Sequence, residues 1–191
     1  AGDAGTARTL ARANIAAFEA SGADVIAVNS AGCGAMLKEY GHLLHDDPEW
    51  RDRASRIAAS VRDISELLVA AGPRPTSQRG IRVAYDAPCH LLHAQRISAQ
   101  PLAVLAAVRG LTLVPLAGSD QCCGSAGIYN LIEPEVAAGV LSPKIAAIQA
   151  SGADVVATGN PGCLMQIGAG LLRAGSATVA RHPIELYEGH P

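Results

Sequence analysis

Residues 14–37, NIAAFEASGADVIAVNSAGCGAML, return as residues 144–167, KIAAIQASGADVVATGNPGCLMQI, with 12 of the 24 positions identical and no gap. The shared run Ala-Ser-Gly-Ala-Asp-Val and the shared Gly-Cys pair, Gly32-Cys33 and Gly162-Cys163, leave chance a poor explanation. A chain with such a repeat has to fold the same segment twice. Each copy reads as helix, turn, short strand, turn, helix. Ile15 and Phe18, like Ile145 and Ile148, supply an apolar stripe at helical spacing, and Gly22 or Gly152 sits where a helix stops. Asp24–Val28 and Asp154–Thr158 are short β-forming runs. The chain then turns through Gly, Asn, Ser or Pro and enters a second helix with a cysteine near its start. There, free N–H groups and the helix dipole favour a thiolate.

The second copy follows a further strand–helix–strand half. Ile81–Tyr85 reads as a strand running into Ala87-Pro88-Cys89-His90 and a helix. Pro101–Arg109 reads as a helix, and Leu111–Leu116 as a strand leading to Cys122-Cys123-Gly124. By the offset of the repeat, the first copy's Cys-Cys-Gly falls about seven positions before Ala1, so the chain reads as the C-terminal part of a longer protein. The expected fold class is α/β: parallel sheets from duplicated modules with flanking helices, the first module incomplete. Residues 1–46 are the C-terminal half of the first module and 81–191 the complete second one. Residues 47–80 form a helical connector, helical from about Pro48 to Ala71 and closing in Gly72-Pro73-Arg74-Pro75-Thr76-Ser77.

Composition excludes several function classes. Half of the 191 residues are hydrophobic and the net charge is −2, with no basic, aromatic-interleaved patch, so nucleic acid is not an expected partner. No run of roughly 18 apolar residues suggests a membrane-spanning helix, and residues 1–20 lack the apolar core of a signal peptide. No Gly-x-Gly-x-x-Gly follows a strand, and the acidic residues are too dispersed for a paired-carboxylate hydrolase.

Five cysteines, Cys33, Cys89, Cys122, Cys123 and Cys163, make a poor secreted disulfide framework and fit a reducing compartment with metal or redox use. The adjacent pair Cys122-Cys123 cannot readily bridge to itself, but both thiols can reach an object larger than one atom. Cys89, Cys122, Cys123 and Cys163 each follow a predicted strand, and a parallel sheet gathers such loops at its carboxyl edge. Four thiolates suffice for a [4Fe–4S] cluster. Gly124 and Gly162 let backbone N–H groups approach its sulfurs, and His90 beside Cys89 is a candidate outer donor, an ordinary helix-start histidine being its alternative. A zinc site remains open, although adjacent cysteines fit awkwardly around one tetrahedral ion. A Cys-x-x-Cys redox pair is absent. For Cys33 an inert core thiol stands beside a ligand role.

Cys89-His-Leu-Leu-His-Ala-Gln95, Cys122-Cys-Gly-Ser-Ala-Gly-Ile-Tyr-Asn130, Asn160-Pro-Gly-Cys163 and Ser30-Ala-Gly-Cys-Gly-Ala-Met-Leu-Lys-Glu-Tyr-Gly41 resemble the CCG, or cysteine-rich, domain. That domain is shared by the cysteine-rich subunit of heterodisulfide reductase, the iron–sulfur subunit of anaerobic glycerol-3-phosphate dehydrogenase, lactate-utilisation iron–sulfur proteins and the glycolate oxidase iron–sulfur subunit. The C-terminal half of the last is the nearest likeness. The resemblance implies an electron-transfer subunit, not catalytic by itself. It would serve a glycolate dehydrogenase (glycolate oxidase) complex, relaying electrons from an FAD-bearing, glycolate-oxidising partner, with a third subunit, towards quinone. It implies a cytoplasmic place, in one variant peripheral on the inner face of the cell membrane. The alternatives are a zinc-stabilised docking module, or the equivalent subunit of a lactate, glycerol-3-phosphate or heterodisulfide oxidoreductase. The family's fullest pattern ends in Cys-x-x-Cys, whose first position is Ser30 in one copy and Asn160 in the other. This favours a four-cysteine cluster over a five-cysteine catalytic one. Cys33 would need ligand partners from the first module's other half.

Overall fold

The same punctuation shapes the first helix of both copies. Helix α1 (Ala4–Ser21) begins where the Asp3 side chain accepts the Thr6 N–H at 2.9 Å, and it ends at Gly22 in the left-handed region, φ 65°. Its counterpart in the second copy ends the same way, at Gly152, φ 63°. The computed structural model describes residues 2–72 and 76–187, and the chain divides into two units, Ala1–Ile64 and Ser65–Pro191.

In the first unit, α1 is followed by strand β1 (Ile26–Val28), helices α2 (Ala31–Lys38), α3 (Tyr40–Leu43) and α4 (Arg51–Ser60), and strand β2 (Val61–Asp63). The two strands pair in parallel, Ile26 opposite Val61 and Val28 opposite Asp63. A two-stranded ribbon is marginal without a packed face. Here the core is helical: Ala11, Ile15, Tyr40, Leu44, Ala54 and Ile57 are buried together, with Phe18, Ile26 and Trp50 against them. The Arg53 guanidinium lies 3.8 Å over the Trp50 ring and also pairs with Glu19.

One expectation fails in this stretch. The single helix over Pro48–Ala71 is divided into α4, strand β2 and helix α5 (Ile64–Ala70). The alternation of buried Val61, exposed Arg62 and buried Asp63 is the period of a strand, and pairing with β1 outweighs helix continuation.

The second unit holds a four-stranded, all-parallel sheet in the order β4-β3-β5-β6. Its elements run β3 (Thr76–Tyr85), a π-helical turn (His90–Ala94), α6 (Ala99–Ala106), β4 (Val108–Val114), α7 (Tyr129–Ile132), α8 (Pro134–Ser151), β5 (Val155–Ala157), α9 (Pro161–Arg173), β6 (Val179–Arg181) and α10 (Pro183–Tyr187). Both faces of the sheet are covered. Val156 packs with Leu141, Ile145, Ile148, Ile167 and Leu171 from α8 and α9. Its neighbours Val155 and Ala157 face the other way, onto Leu105 and Leu186 from α6 and α10. All three β5 residues are therefore buried, as parallel strands covered on both sides are. Asp154, from the repeated run, sets the register of β5 by accepting the Arg82 N–H at 2.8 Å. Helices α8 and α9 approach closely at Gly170, where an added Cβ would lie 2.8 Å from both Ile145 Cδ1 and Leu141 Cδ2.

The chain leaves β3 for β4 on one side of it and returns to β5 on the other. Direction reverses at β3, so the crevice of the sheet lies at the carboxyl ends of β3 and β5.

Candidate metal centre

Three loops leave that edge. The first runs from Asp86 to Cys89, the second from the end of β4 to Gly124, and the third from Thr158 to Cys163 at the start of α9. Backbone bonds lace them together: Asp86 N–H donates to Ala157 O and Ala87 N–H to Ser119 O, both at 2.9 Å.

Cys123 and Cys163 are buried, with their Sγ atoms 3.2 Å apart. The two thiols are within hydrogen-bond contact. The Cys163 S–H stabilises a Cys123 thiolate, which brings Cys123 down to about 7 against the opposing effect of burial. Holding that proton against the thiolate, and then burial, push Cys163 up. The Asn160 side-chain amide donates to Cys163 Sγ at 3.4 Å. Cys122, one residue from Cys123, is exposed, and its sulfur accepts the Gly124 N–H at 3.3 Å. Cys89 is partly buried. Burial first, then the nearby Cys122 sulfur, push its thiol up. His90 Nδ1 lies 3.8 Å from Cys89 Sγ.

The two glycines have steric reasons to be there. Gly124 has φ 83°, and a Cβ on it would sit 2.5 Å from Ala137 O of α8. A Cβ on Gly162 would sit 2.6 Å from the hydroxyl of buried Ser125, so the Cys-Cys-Gly-Ser loop rests directly on the first turn of α9. Cys33 belongs to the other unit, which contains no second cysteine, and its thiol is exposed at the start of α2.

Among the described residues no three His, Cys, Asp or Glu side chains are grouped to hold a metal ion. Zinc–sulfur bonds of about 2.3 Å require every ligand sulfur within roughly 4 Å of the others. Cys123 and Cys163 meet that spacing, with no third ligand beside them among the described residues. Four soft thiol donors on three loops at one sheet edge match in chemistry a group with several metal atoms, each taking its own sulfur. For that, the 3.2 Å contact between Cys123 and Cys163 has to open.

Three residues at this edge escape a reading of motifs. Lys144, Asp86 and Thr158 form a buried ionic network beside the sulfurs: Lys144 Nζ donates to Asp86 Oδ1 at 2.6 Å, and Thr158 Oγ1 to Asp86 Oδ2 at 2.9 Å. Burial pushes the Asp86 carboxyl up, against the pull of the Lys144 charge. The available signal is Lys144 itself, the one charged residue in the apolar stretch 136–150.

Comparison with known proteins identifies the chain's relatives. The cysteine-rich domain, CCG, matches residues 1–38 and 83–168. The probable glycolate oxidase iron-sulfur subunit of Bacillus subtilis (strain 168) is 40% identical over 177 residues, covering 91% of this chain and 40% of that protein. The glycolate oxidase iron-sulfur subunit of Escherichia coli (strain K12) is 35% identical, covering 88% and 40%. Lactate utilization protein A of Geobacillus kaustophilus (strain HTA426) is 34% identical, covering 86% and 70%. The chain thus spans about 40% of the length of the glycolate oxidase subunits it matches. With its Cys-Cys-Gly loop set at the sheet edge between two further cysteine loops, the chain belongs to the cysteine-rich CCG domain family.

Proposed function

We propose that this chain is part of the electron-transfer subunit of an oxidoreductase, with Cys89, Cys122, Cys123 and Cys163 as the ligands of one [4Fe–4S] cluster. The observation that supports the reading is that the four thiols stand on three loops leaving the carboxyl edge of one parallel sheet, with Cys123 and Cys163 already in contact. The bound cluster supplies one-electron transfer. The protein's part is to hold and tune it. The Gly124 N–H at Cys122 Sγ and the Asn160 amide at Cys163 Sγ are hydrogen bonds that favour the more negative, reduced state. The burial of Cys123 and Cys163 keeps water from one side, while exposed Cys122 leaves the other open to a redox partner. His90 adds a polar ring beside Cys89.

The names of the relatives support a 2-hydroxy acid, glycolate in the first instance, as the reductant's source. In this proposal an FAD-bearing partner subunit oxidises it, and electrons pass through this chain, with a third subunit, towards quinone. The place is cytoplasmic, with peripheral attachment to the inner membrane face. No described helix is long and apolar enough to cross a membrane. The modular division into 1–46, 47–80 and 81–191 belongs to the same proposal, with Cys33 as a ligand position of the first module. Anaerobic purification followed by iron, sulfide and zinc analysis tests the centre. Iron with equimolar labile sulfide is expected; zinc without sulfide would overturn the relay and leave a structural module.

A further inference from the structure

Lys144 is almost wholly enclosed, and its ammonium has three acceptors: Asp86 Oδ1 at 2.6 Å, Gly118 O at 2.6 Å and Ser119 O at 3.3 Å. That matches the three donors an ammonium has. The carboxylate it meets takes its other hydrogen bond from Thr158. One lysine and one aspartate therefore bind all three cysteine loops: Asp86 is three residues before Cys89, Ser119 three before Cys122, and Thr158 five before Cys163. A buried ion pair is a poor route to stability, since well-packed apolar residues of the same size serve as well or better, whereas a fixed polar geometry can impose one arrangement. The local helix–strand frame does not need these side chains. At the equivalent positions the first copy carries Asn14 and Val28 in place of Lys144 and Thr158, and it still forms the helix and strand.

We propose that Lys144, acting through Asp86 and the Gly118 and Ser119 carbonyls, is the positioning residue of the cysteine centre, fixing the three thiol loops in one arrangement before any metal arrives. This rests on the reading of those thiols as ligands, but loop order can be measured without metal.

The test compares Lys144→Met, similar in length and uncharged, with Ile148→Ala on the same helix as a control for lost stability. Each is studied as the full chain, reduced and metal-free, at a temperature where circular dichroism shows it folded. Amide hydrogen exchange at 86–89 and 117–123, and alkylation of Cys123 by iodoacetamide, are expected to rise about tenfold or more in Lys144→Met, with β5 and α9 still protected. Ile148→Ala should leave the ratio of loop to core exchange unchanged. Thr158→Val, which removes one hydrogen bond and restores the first copy's residue, should give about a threefold rise and keeps the test available if Lys144→Met does not fold. Iron and sulfide uptake on anaerobic reconstitution should fall in the same order. Loop exchange and thiol reactivity unchanged in the variants that fold, or changed equally in Ile148→Ala, would overturn the proposal. A wild-type chain that takes up no iron while its loops still loosen on substitution would overturn the ligand assignment alone.

Discussion

The two copies of the repeat share half their residues and a common frame, yet one buries its cysteine beside a second sulfur and the other exposes it. Residues 144–167 place β5 between β3 and β6, so the strand is buried on both faces and its exit loop is met by two others. Residues 14–37 place β1 against β2, its one sheet partner among the described residues, and the strand stays partly exposed. The identical positions are those a helix–turn–strand unit requires: the cap glycines, the Asp that opens the strand, and the small residues of the turn. The differing ones include Asn14 for Lys144, Val28 for Thr158 and Ser30 for Asn160, whose counterparts in the second copy all touch the centre or its ionic network. Repetition supplies a scaffold; neighbouring strands and a few polar substitutions turn it into a site.

The largest expected effect tests the difference directly. Cys123→Ser should abolish iron and labile-sulfide content after anaerobic reconstitution, whereas Cys33→Ser should leave both at wild-type levels. Loss of iron in Cys33→Ser would remove the contrast between the copies. Next comes a pair of equivalent core positions. Ile167 is fully buried and Leu37 only partly so. Ile167→Ala should therefore cost about 3–4 kcal/mol and Leu37→Ala about 1–2 kcal/mol in chemical denaturation. Equal losses would mean that the two copies are packed alike.

Gly124→Ala meets both a left-handed backbone and the Ala137 carbonyl, and a loss of about 2–3 kcal/mol is expected. Smallest is the effect at the shared helix stops. An alanine at Gly22 meets no atom and one at Gly152 only an ordinary contact with Arg82. Each should cost about 1 kcal/mol, the left-handed penalty alone. A clear inequality between the two would show that the copies differ even in their punctuation.

These contrasts also mark what the residues disclose on their own. The cysteines, their place after strands, and the parallel α/β class follow from local pattern, because strand–loop–helix units leave their loops on one edge. Strands β2 and β6 do not, since each is a short run that becomes a strand only by pairing with β1 or β5. The helix from Pro48 breaks at Val61 because pairing with β1 is a tertiary event. Pro143 hides the full extent of α8: a proline reads as a boundary, but the helix runs through it from Pro134. Lys144 is the least legible of all. A lysine on a helix normally implies solvent, and only the arrival of Asp86 and two carbonyls from distant loops makes its burial tolerable.

The notch at Gly170 has a mechanical consequence. It lies seven residues along α9 from Cys163, a lever arm of about 10 Å in a stiff helix. The side chains seated in it, Leu141 and Ile145, flank Lys144 on α8. A missing methyl group two turns away thus sets the alignment of two rods, one tipped by a sulfur and the other carrying the ammonium. A methyl restored there would act as a shim, tilting both, and the centre would go out of true without any of its own atoms being altered.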